Sequence, residues 1–263
     1  KADNRSEIIN ADEVQDIQAY EQKQKKDKIK KRIKIAFVLN LLIFVVMFFG
    51  AFRCIFDFNF MTTGTHRFSP DFSRFKYFTL DSNILAGIIS LIMAINQGTF
   101  LRGKKSDISK NAYVLKLMGG TGIALTMLVT VFYLAPRSEF GFFHLFENSN
   151  FFLHFLIPVI YLISFLVFER TDKIELKHTF VGIIPMIIYA IFYSLNVLLH
   201  LENGRPSVNY DIYGFLEGRV SLILIVLPFM ILLTYFISFV FIKGKILLII
   251  NTVYSGNIVL TAY

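Results

Sequence analysis

Six long runs of apolar residues, separated by short polar segments, dominate the pattern along the chain. They cover residues 35–52, 78–96, 117–135, 151–168, 180–199 and 220–242. A helix needs about 20 apolar residues to cross a bilayer, because it rises only about 1.5 Å per residue. None of the runs carries a charged residue near its centre. The pattern therefore predicts an all-α, polytopic membrane protein built as a bundle of six transmembrane helices.

The composition agrees with a multi-pass integral membrane protein. Hydrophobic residues make up 55% of the 263 residues, and the mean hydropathy is +0.57. A water-soluble fold of this length could not hide so much apolar surface. The loops between the runs leave no room for a second globular domain. We expect a basic segment at residues 1–34, partly helical or disordered, then a membrane domain at 35–242 and a short tail at 243–263.

The basic residues are unevenly distributed about the six runs. With the N-terminus inside, 20 of the 27 Lys and Arg residues fall in inner segments and 7 in outer segments. Because such residues favour the cytoplasmic side, both termini are expected there. The cluster at 23–34 predicts attraction to anionic lipid headgroups. Nucleic acid is the alternative, but aromatic interleaving and a recognition helix are missing. Membrane lipids are thus the expected partners, and no protein partner is indicated.

Small polar residues share one helical face at the start of the second run. Thr79, Ser82, Asn83 and Ala86 are spaced at i, i+3, i+4 and i+7. A face of small and polar residues is expected to point into the bundle. Polar groups inside a span need a partner or a purpose. Capping and hydrogen bonds between helices are the structural alternative to a catalytic role.

A histidine lies at the start of the fourth run. His154 precedes Pro158 by four residues, and the proline leaves the His154 carbonyl without its usual helical partner. The expected kink can open a cavity and redirect the imidazole. A packing role is the alternative. Because both runs enter from the outer face, Thr79 and His154 are predicted at similar depth.

A hydroxyl beside an imidazole is the minimum pair for nucleophilic acyl transfer. An orienting third group is needed, and the candidates are Asn83 and the loop at 200–217, which is either a lid or a connector. The five His residues show no ligand spacing on one helix, so no metal and no cofactor is expected. His144 and Glu147 leave a metal site formally open.

The order of these motifs resembles the androgen-induced protein family. The motifs are Thr79-x-x-Ser-Asn83, His154-x-x-x-Pro158 and Tyr213-Gly-Phe-Leu-Glu217 within six spans. That family includes membrane threonine hydrolases that cleave fatty acid esters of hydroxy fatty acids, together with bacterial six-helix relatives. The resemblance implies that Thr79 is the nucleophile and His154 its catalytic partner, with Ser82, Asn83, Tyr213 and Glu217 in support.

The chain departs from the family pattern at Gly214, where a proline is usual. The residues after Thr79 are closer to the bacterial branch, so a bacterial-type plasma membrane is expected. The leading hypothesis is an intramembrane lipid-ester hydrolase that works near the outer leaflet. The alternative is a non-catalytic membrane protein of the same fold, either a transporter or an interaction scaffold. Transport is disfavoured because no repeat relates the two halves and the polar residues gather at the outer end.

Overall fold

The computed structural model describes the backbone of residues 11–56, 70–169 and 173–260, and the side chains of 15–56, 70–169 and 173–247. Within this part of the chain, six helices are long and apolar enough to cross a membrane. A short hairpin of β1 (Leu201–Glu202) and β2 (Arg205–Pro206) is the sole sheet there. The predicted all-α, six-helix fold is therefore confirmed. The first ten residues of the predicted basic segment lie outside the described residues.

The six spans closely follow the apolar runs of the sequence. Their bounds are Gln15–Phe56, Phe78–Leu101, Lys110–Arg137, Asn148–Phe168, Leu176–Leu199 and Val220–Leu247. The first belongs to one continuous helix, Ala11–Phe56, so the basic segment runs without a break into the membrane. The last begins with a 3-10 turn, Val220–Leu222, and continues in the helix Ile223–Leu260, which runs through residues expected to form a tail. No Gly or Pro interrupts residues 11–34, so nothing ends the first helix early.

The third span is the centre of the bundle. It packs against the second, fourth, fifth and sixth spans, while the first span packs against the second and fourth. Glycines allow its close approach to the fourth span: a Cβ on Gly119 would lie 2.5 Å from the Tyr161 hydroxyl oxygen. The glycine patch at 119–122 is thus a packing surface between helices.

Large apolar side chains cover the outside of the bundle. Phe48 is 64% exposed, Phe132 is 75% exposed and Leu224 is 79% exposed. Soluble monomers rarely leave such apolar surface in water. Lipid chains can cover it instead, so the exposed residues identify a multi-pass membrane protein.

The fourth span is not a regular α-helix. A π-helical turn, Phe152–Leu156, precedes the α-helical segment Ile157–Ile163, and a second π-helical turn follows at Ser164–Phe168. In the first turn the Ile157 N–H donates to the Phe152 carbonyl, five residues earlier. Because Pro158 cannot donate, the chain widens by one residue before it. The expected kink at His154 is therefore a π-turn.

Candidate functional site

A cavity of about 600 Å³ opens where the second span begins and the third span ends. Thr79, in the first turn of the second span, lines this cavity, and so does His154, in the π-turn of the fourth span. Tyr213, from the loop before the sixth span, lines it as well. The structure thus places Thr79 and His154 on one cavity, which we call the Thr79 cavity, although no hydrogen bond joins their side chains.

The imidazole of His154 is held in one orientation. The residue is only 7% exposed, and its Nδ1 lies 2.6 Å from the Leu145 carbonyl oxygen. A carbonyl oxygen can only accept, so Nδ1 carries a proton, and in the neutral imidazole Nε2 then has the lone pair. The orienting group is therefore a backbone carbonyl before the fourth span. It comes neither from Asn83 nor from the loop at 200–217.

Asn83 connects the two predicted catalytic turns. Its fully buried Nδ2 donates to the Thr79 carbonyl at 2.7 Å and to the Leu153 carbonyl at 3.0 Å. One amide therefore fixes the turn of Thr79 relative to the residue before His154. Both of its N–H bonds are engaged, so Asn83 positions the pair and has no donor left for a reacting oxyanion.

Tyr213 closes the N-terminus of the second span. Its hydroxyl oxygen accepts from the Phe78 N–H at 2.8 Å, one of the amides that a helix start leaves unpaired. Burial raises the pKa of Tyr213 to about 12, against the opposing effect of nearby donors on Tyr189, Phe78 and Thr79. At neutral pH the phenol is uncharged and keeps a proton that it can donate.

The turn that carries Tyr213 depends on a residue that the sequence did not single out. Buried Asp211 accepts from the Phe215 N–H at 3.0 Å and from the Leu216 N–H at 2.9 Å. Between Asp211 and these two amides, Gly214 has φ +65°, which proline cannot adopt. A glycine suits this position, and a proline, which is usual there in the family that the sequence resembles, would not fit this turn.

Two of the supporting residues lie away from the Thr79 cavity. Glu217 is exposed and pairs with Arg219 at 3.2 Å. Ser82 is buried, and its Oγ lies 2.9 Å from the Thr126 Oγ1 across the second and third spans. It joins helices and faces a different space, described next.

A mainly apolar groove of about 810 Å³ runs between the second and fifth spans. Leu85, Ile188 and Phe192 are among its lining residues, with Ser82 at one wall. A small chamber of about 30 Å³ shares Phe78 with the groove, and shares Thr79 and Tyr213 with the Thr79 cavity. Hydroxyl groups line the chamber, and its volume suffices for a water molecule.

Metal ligands do not converge in the described part of the chain. No group of three His, Cys, Asp or Glu residues there could hold an ion. His144 and Glu147 form an exposed pair with 3.5 Å between Nδ1 and Oε2. His66 lies outside the described residues.

A second buried polar cluster lies at the opposite end of the bundle, contrary to the expectation that polar residues gather at one end. We call it the ionic network, formed by Asn40, Lys116, Ser164, Glu169 and Lys245. The Lys116 ammonium donates to Asn40 Oδ1 at 2.5 Å and lies 3.8 Å from Glu169 Oε1. That carboxylate oxygen also accepts from Asn40 and Ser164. The Lys245 ammonium donates to the Glu169 backbone carbonyl at 2.7 Å.

No protein family, curated protein or solved structure matches this chain. The six-span fold is shown by the helices themselves. The likeness to the androgen-induced family is carried only by the motifs around Thr79, His154 and Tyr213.

Proposed function

We propose that this protein is an intramembrane lipid-ester hydrolase with Thr79 as its nucleophile and His154 as its base. One observation carries the proposal: Thr79 and His154 line a single cavity, and the hydrogen bond of His154 Nδ1 to Leu145 leaves Nε2 of the neutral ring as the nitrogen that can accept a proton. This arrangement has the components of an activated nucleophile. The resemblance to the androgen-induced family assigns the same two roles.

The proposed reaction has two stages. His154 Nε2 takes the proton of the Thr79 hydroxyl as Oγ1 attacks the acyl carbonyl carbon. The alcohol then leaves with that proton, and the acyl group remains on Thr79. Water, activated by the same imidazole, hydrolyses the new ester and releases the fatty acid. The neutral Tyr213 phenol is the proposed donor to the oxyanion, because it lines the same cavity and carries a proton.

The surroundings of the pair suit an amphiphilic ester. The groove between the second and fifth spans offers an apolar bed for an acyl chain. Arg137 lines the Thr79 cavity, with its guanidinium 3.9 Å from the centre of the Tyr133 ring, and makes no ion pair among the described residues. It can bind an acidic group on the substrate. A fatty acid ester of a hydroxy fatty acid, presented from the outer leaflet of a bacterial plasma membrane, has the required chemistry.

The test uses the purified full chain in lipid–detergent micelles. Ester hydrolysis and labelling by a fluorophosphonate probe are measured for Thr79→Val, His154→Ala and Thr99→Val. Thr99 is the matched control, because it lies at the other end of the same helix, where its hydroxyl donates to the Asn96 carbonyl at 2.8 Å. Hydrolysis should fall about 100-fold or more in the first two variants and persist in the third. Equal activity of the Thr79 and Thr99 variants would refute the proposal.

A transporter is the second candidate, and the ionic network favours it. Ionisable groups inside a bundle often mark a path for ions or protons. On this hypothesis, Lys116→Met abolishes solute flux in proteoliposomes, whereas Thr79→Val leaves the flux unchanged and no hydrolysis is found in either variant. The two sets of variants therefore separate the two functions.

A further inference from the structure

A second large cavity, of about 950 Å³, lies at the end of the second span that is remote from Thr79. The basic part of the first helix forms one wall through Lys26 and Lys30. Arg102, just after the second span, forms another, and Phe168 with Glu169 closes the floor. We call this space the basic cavity. It belongs to neither the Thr79 cavity nor the apolar groove.

Positive charge exceeds negative charge in the basic cavity. Its lining has five cationic and two acidic residues, namely Lys26, Lys30, Arg32, Arg102 and Lys173 against Asp107 and Glu169. Lys173 is already paired with Asp107. Lys26, Lys30 and Arg102 make no ion pair within the described ranges. These three cations are therefore available to an anion.

The ionic network behind the floor does not cancel this positive charge. Lys116 and Lys245 are both buried there, and Glu169 supplies the single carboxylate of the network. The Glu169 Oε2 is buried and has no hydrogen-bond partner among the described residues. Because this oxygen has almost no accessible surface, a ligand in the cavity does not reach it. The charge that a ligand meets in the cavity is therefore set by the cations of its lining.

Apolar residues complete the lining and indicate an amphiphile. Ile29, Ile33, Phe100 and Leu101 lie in the same cavity as the cations. The first helix is continuous from Lys26 into its membrane span, so the cavity lies where the helix passes from polar to apolar sequence. A free phosphate ion would use only the charged side of such a site. Basic pockets between membrane helices bind phospholipid headgroups.

We propose that the basic cavity binds an anionic glycerophospholipid. The phosphate lies against Lys26, Lys30 and Arg102, and the first part of the acyl chains follows the apolar wall. Phosphatidylglycerol has this chemistry. The site is independent of ester hydrolysis at Thr79.

Binding is measured by native mass spectrometry of the full chain released from detergent with added phosphatidylglycerol. The decisive variant removes the three available cations as Lys26→Gln, Lys30→Gln and Arg102→Gln. Each loss should weaken binding about fivefold, and the triple loss on the order of 100-fold. The charge-conserving variant, which combines Lys26→Arg, Lys30→Arg and Arg102→Lys, should bind like the unmodified chain.

The matched control removes the same charge nearby. Lys25→Gln, Lys28→Gln and Lys104→Gln alter exposed residues of the same helix and loop that do not line the cavity. This triple variant should keep its affinity within about fivefold, since it spares the phosphate contacts. Similar losses in the two triple variants would overturn the proposal, because general surface charge would then explain the binding.

Three further ligands show which part of the lipid the cavity recognises. Phosphatidylcholine with the same chains should bind about tenfold more weakly than phosphatidylglycerol, or weaker still. Phosphatidylmethanol, which has the same charge but no headgroup hydroxyl, should bind about as tightly as phosphatidylglycerol. Equal binding of phosphatidylcholine would overturn the role of the cations. Binding of phosphatidylmethanol as weak as that of phosphatidylcholine would show that the lipid is not recognised by its negative charge and would overturn the proposal. Displacement of the lipid by equimolar glycerol phosphate would overturn the lipid assignment in favour of a soluble anion.

Discussion

Replacing Glu169 with glutamine removes the single carboxylate of the ionic network, which pairs with the buried Lys116 ammonium and whose residue also binds the Lys245 ammonium through its backbone carbonyl. The side chains of Lys116 and Glu169 are 0% and 1% exposed, so water screens their interaction very little. The amide oxygen of the new side chain can still accept from Asn40 and Ser164, which means that the change isolates the charge. Lys116 and Lys245 would remain buried without a counterion. The substitution should therefore destabilise the bundle far more than the loss of one hydrogen bond would.

The expected cost follows from the burial of the pair. Removing one member of a buried ion pair typically costs about 3–5 kcal/mol, because the remaining charge stays in a poorly polarisable environment. Lys116→Met in the same chain replaces the stranded ammonium with an apolar side chain of similar size. The double variant should therefore recover at least about half of the loss, with a coupling energy of about 2 kcal/mol or more.

The free energy of unfolding is measured by titrating SDS into the protein in mixed micelles, with loss of helical circular dichroism as the signal. Glu175→Gln is the control, since Glu175 pairs with Lys110 and Lys177 at an exposed site and should matter little. The reasoning fails if the Glu169 and Glu175 variants lose similar stability. It also fails if Lys116→Met brings no recovery in the Glu169→Gln background.

Three further substitutions test other parts of the structure. Gly119→Ala should lower the free energy of unfolding by about 1–3 kcal/mol in the same assay, because the new methyl group would clash with the Tyr161 hydroxyl. Gly244→Ala is the control and should not destabilise the protein, since no atom lies within 4 Å of the new methyl group. Tyr213→Phe should lower kcat with little change in KM, because it removes the proposed donor to the oxyanion. The same change also removes the hydroxyl oxygen that accepts from the first N–H of the second span. Arg137→Gln should raise KM for an ester with a free carboxylate and leave KM for its methyl ester unchanged.

Each of these expectations has a clear contrary result. Equal stability of the two glycine variants would mean that the third and fourth spans can separate without cost. A Tyr213→Phe variant with normal kcat would remove the phenol from the proposed reaction. An Arg137→Gln effect of equal size on both esters would show that the guanidinium shapes the cavity and does not bind the carboxylate.

The spans could be predicted because their length is set by the bilayer. An apolar run of about 20 residues has few stable alternatives to a membrane helix. The first helix begins before residue 35, and the last helix ends after residue 242. The apolar runs did not predict these extensions, because hydrophobicity indicates which residues contact lipid and not which residues are helical. The polar stretch 15–34 lacks Gly and Pro and therefore extends the first helix. Lys245 also lies in a helix, and its ammonium is bound inside the bundle.

The residues of the candidate site also fall into two groups, those that the sequence could single out and those that it could not. Thr79, Asn83 and His154 could be singled out as candidates because each is a polar residue within or beside an apolar run. Leu145 could not be found, since it acts through its backbone carbonyl and any residue type offers one. Asp211 is one of several polar residues in its loop, so its sequence context does not distinguish it.

The ionic network was missed for a different reason. Lys116 and Glu169 flank apolar runs, where a charged residue usually meets water, and Lys116 and Lys245 were counted as basic loop residues in the prediction of orientation. Only the packing of the third, fourth and sixth spans shows that they are buried. A linear pattern carries no information on which flanking charges face one another.

The unbroken first helix couples its N-terminal end mechanically to the ionic network. Its 46 residues extend about 69 Å, more than twice the roughly 30 Å of a hydrocarbon core. With Asn40 as a fixed point in the ionic network, a tilt of about 5° would move the N-terminal end of the helix, about 43 Å away, by about 4 Å. A force applied at the N-terminal end is therefore transmitted along the helix to the buried charges. Conversely, a small rearrangement of those charges produces a larger displacement of the N-terminal end.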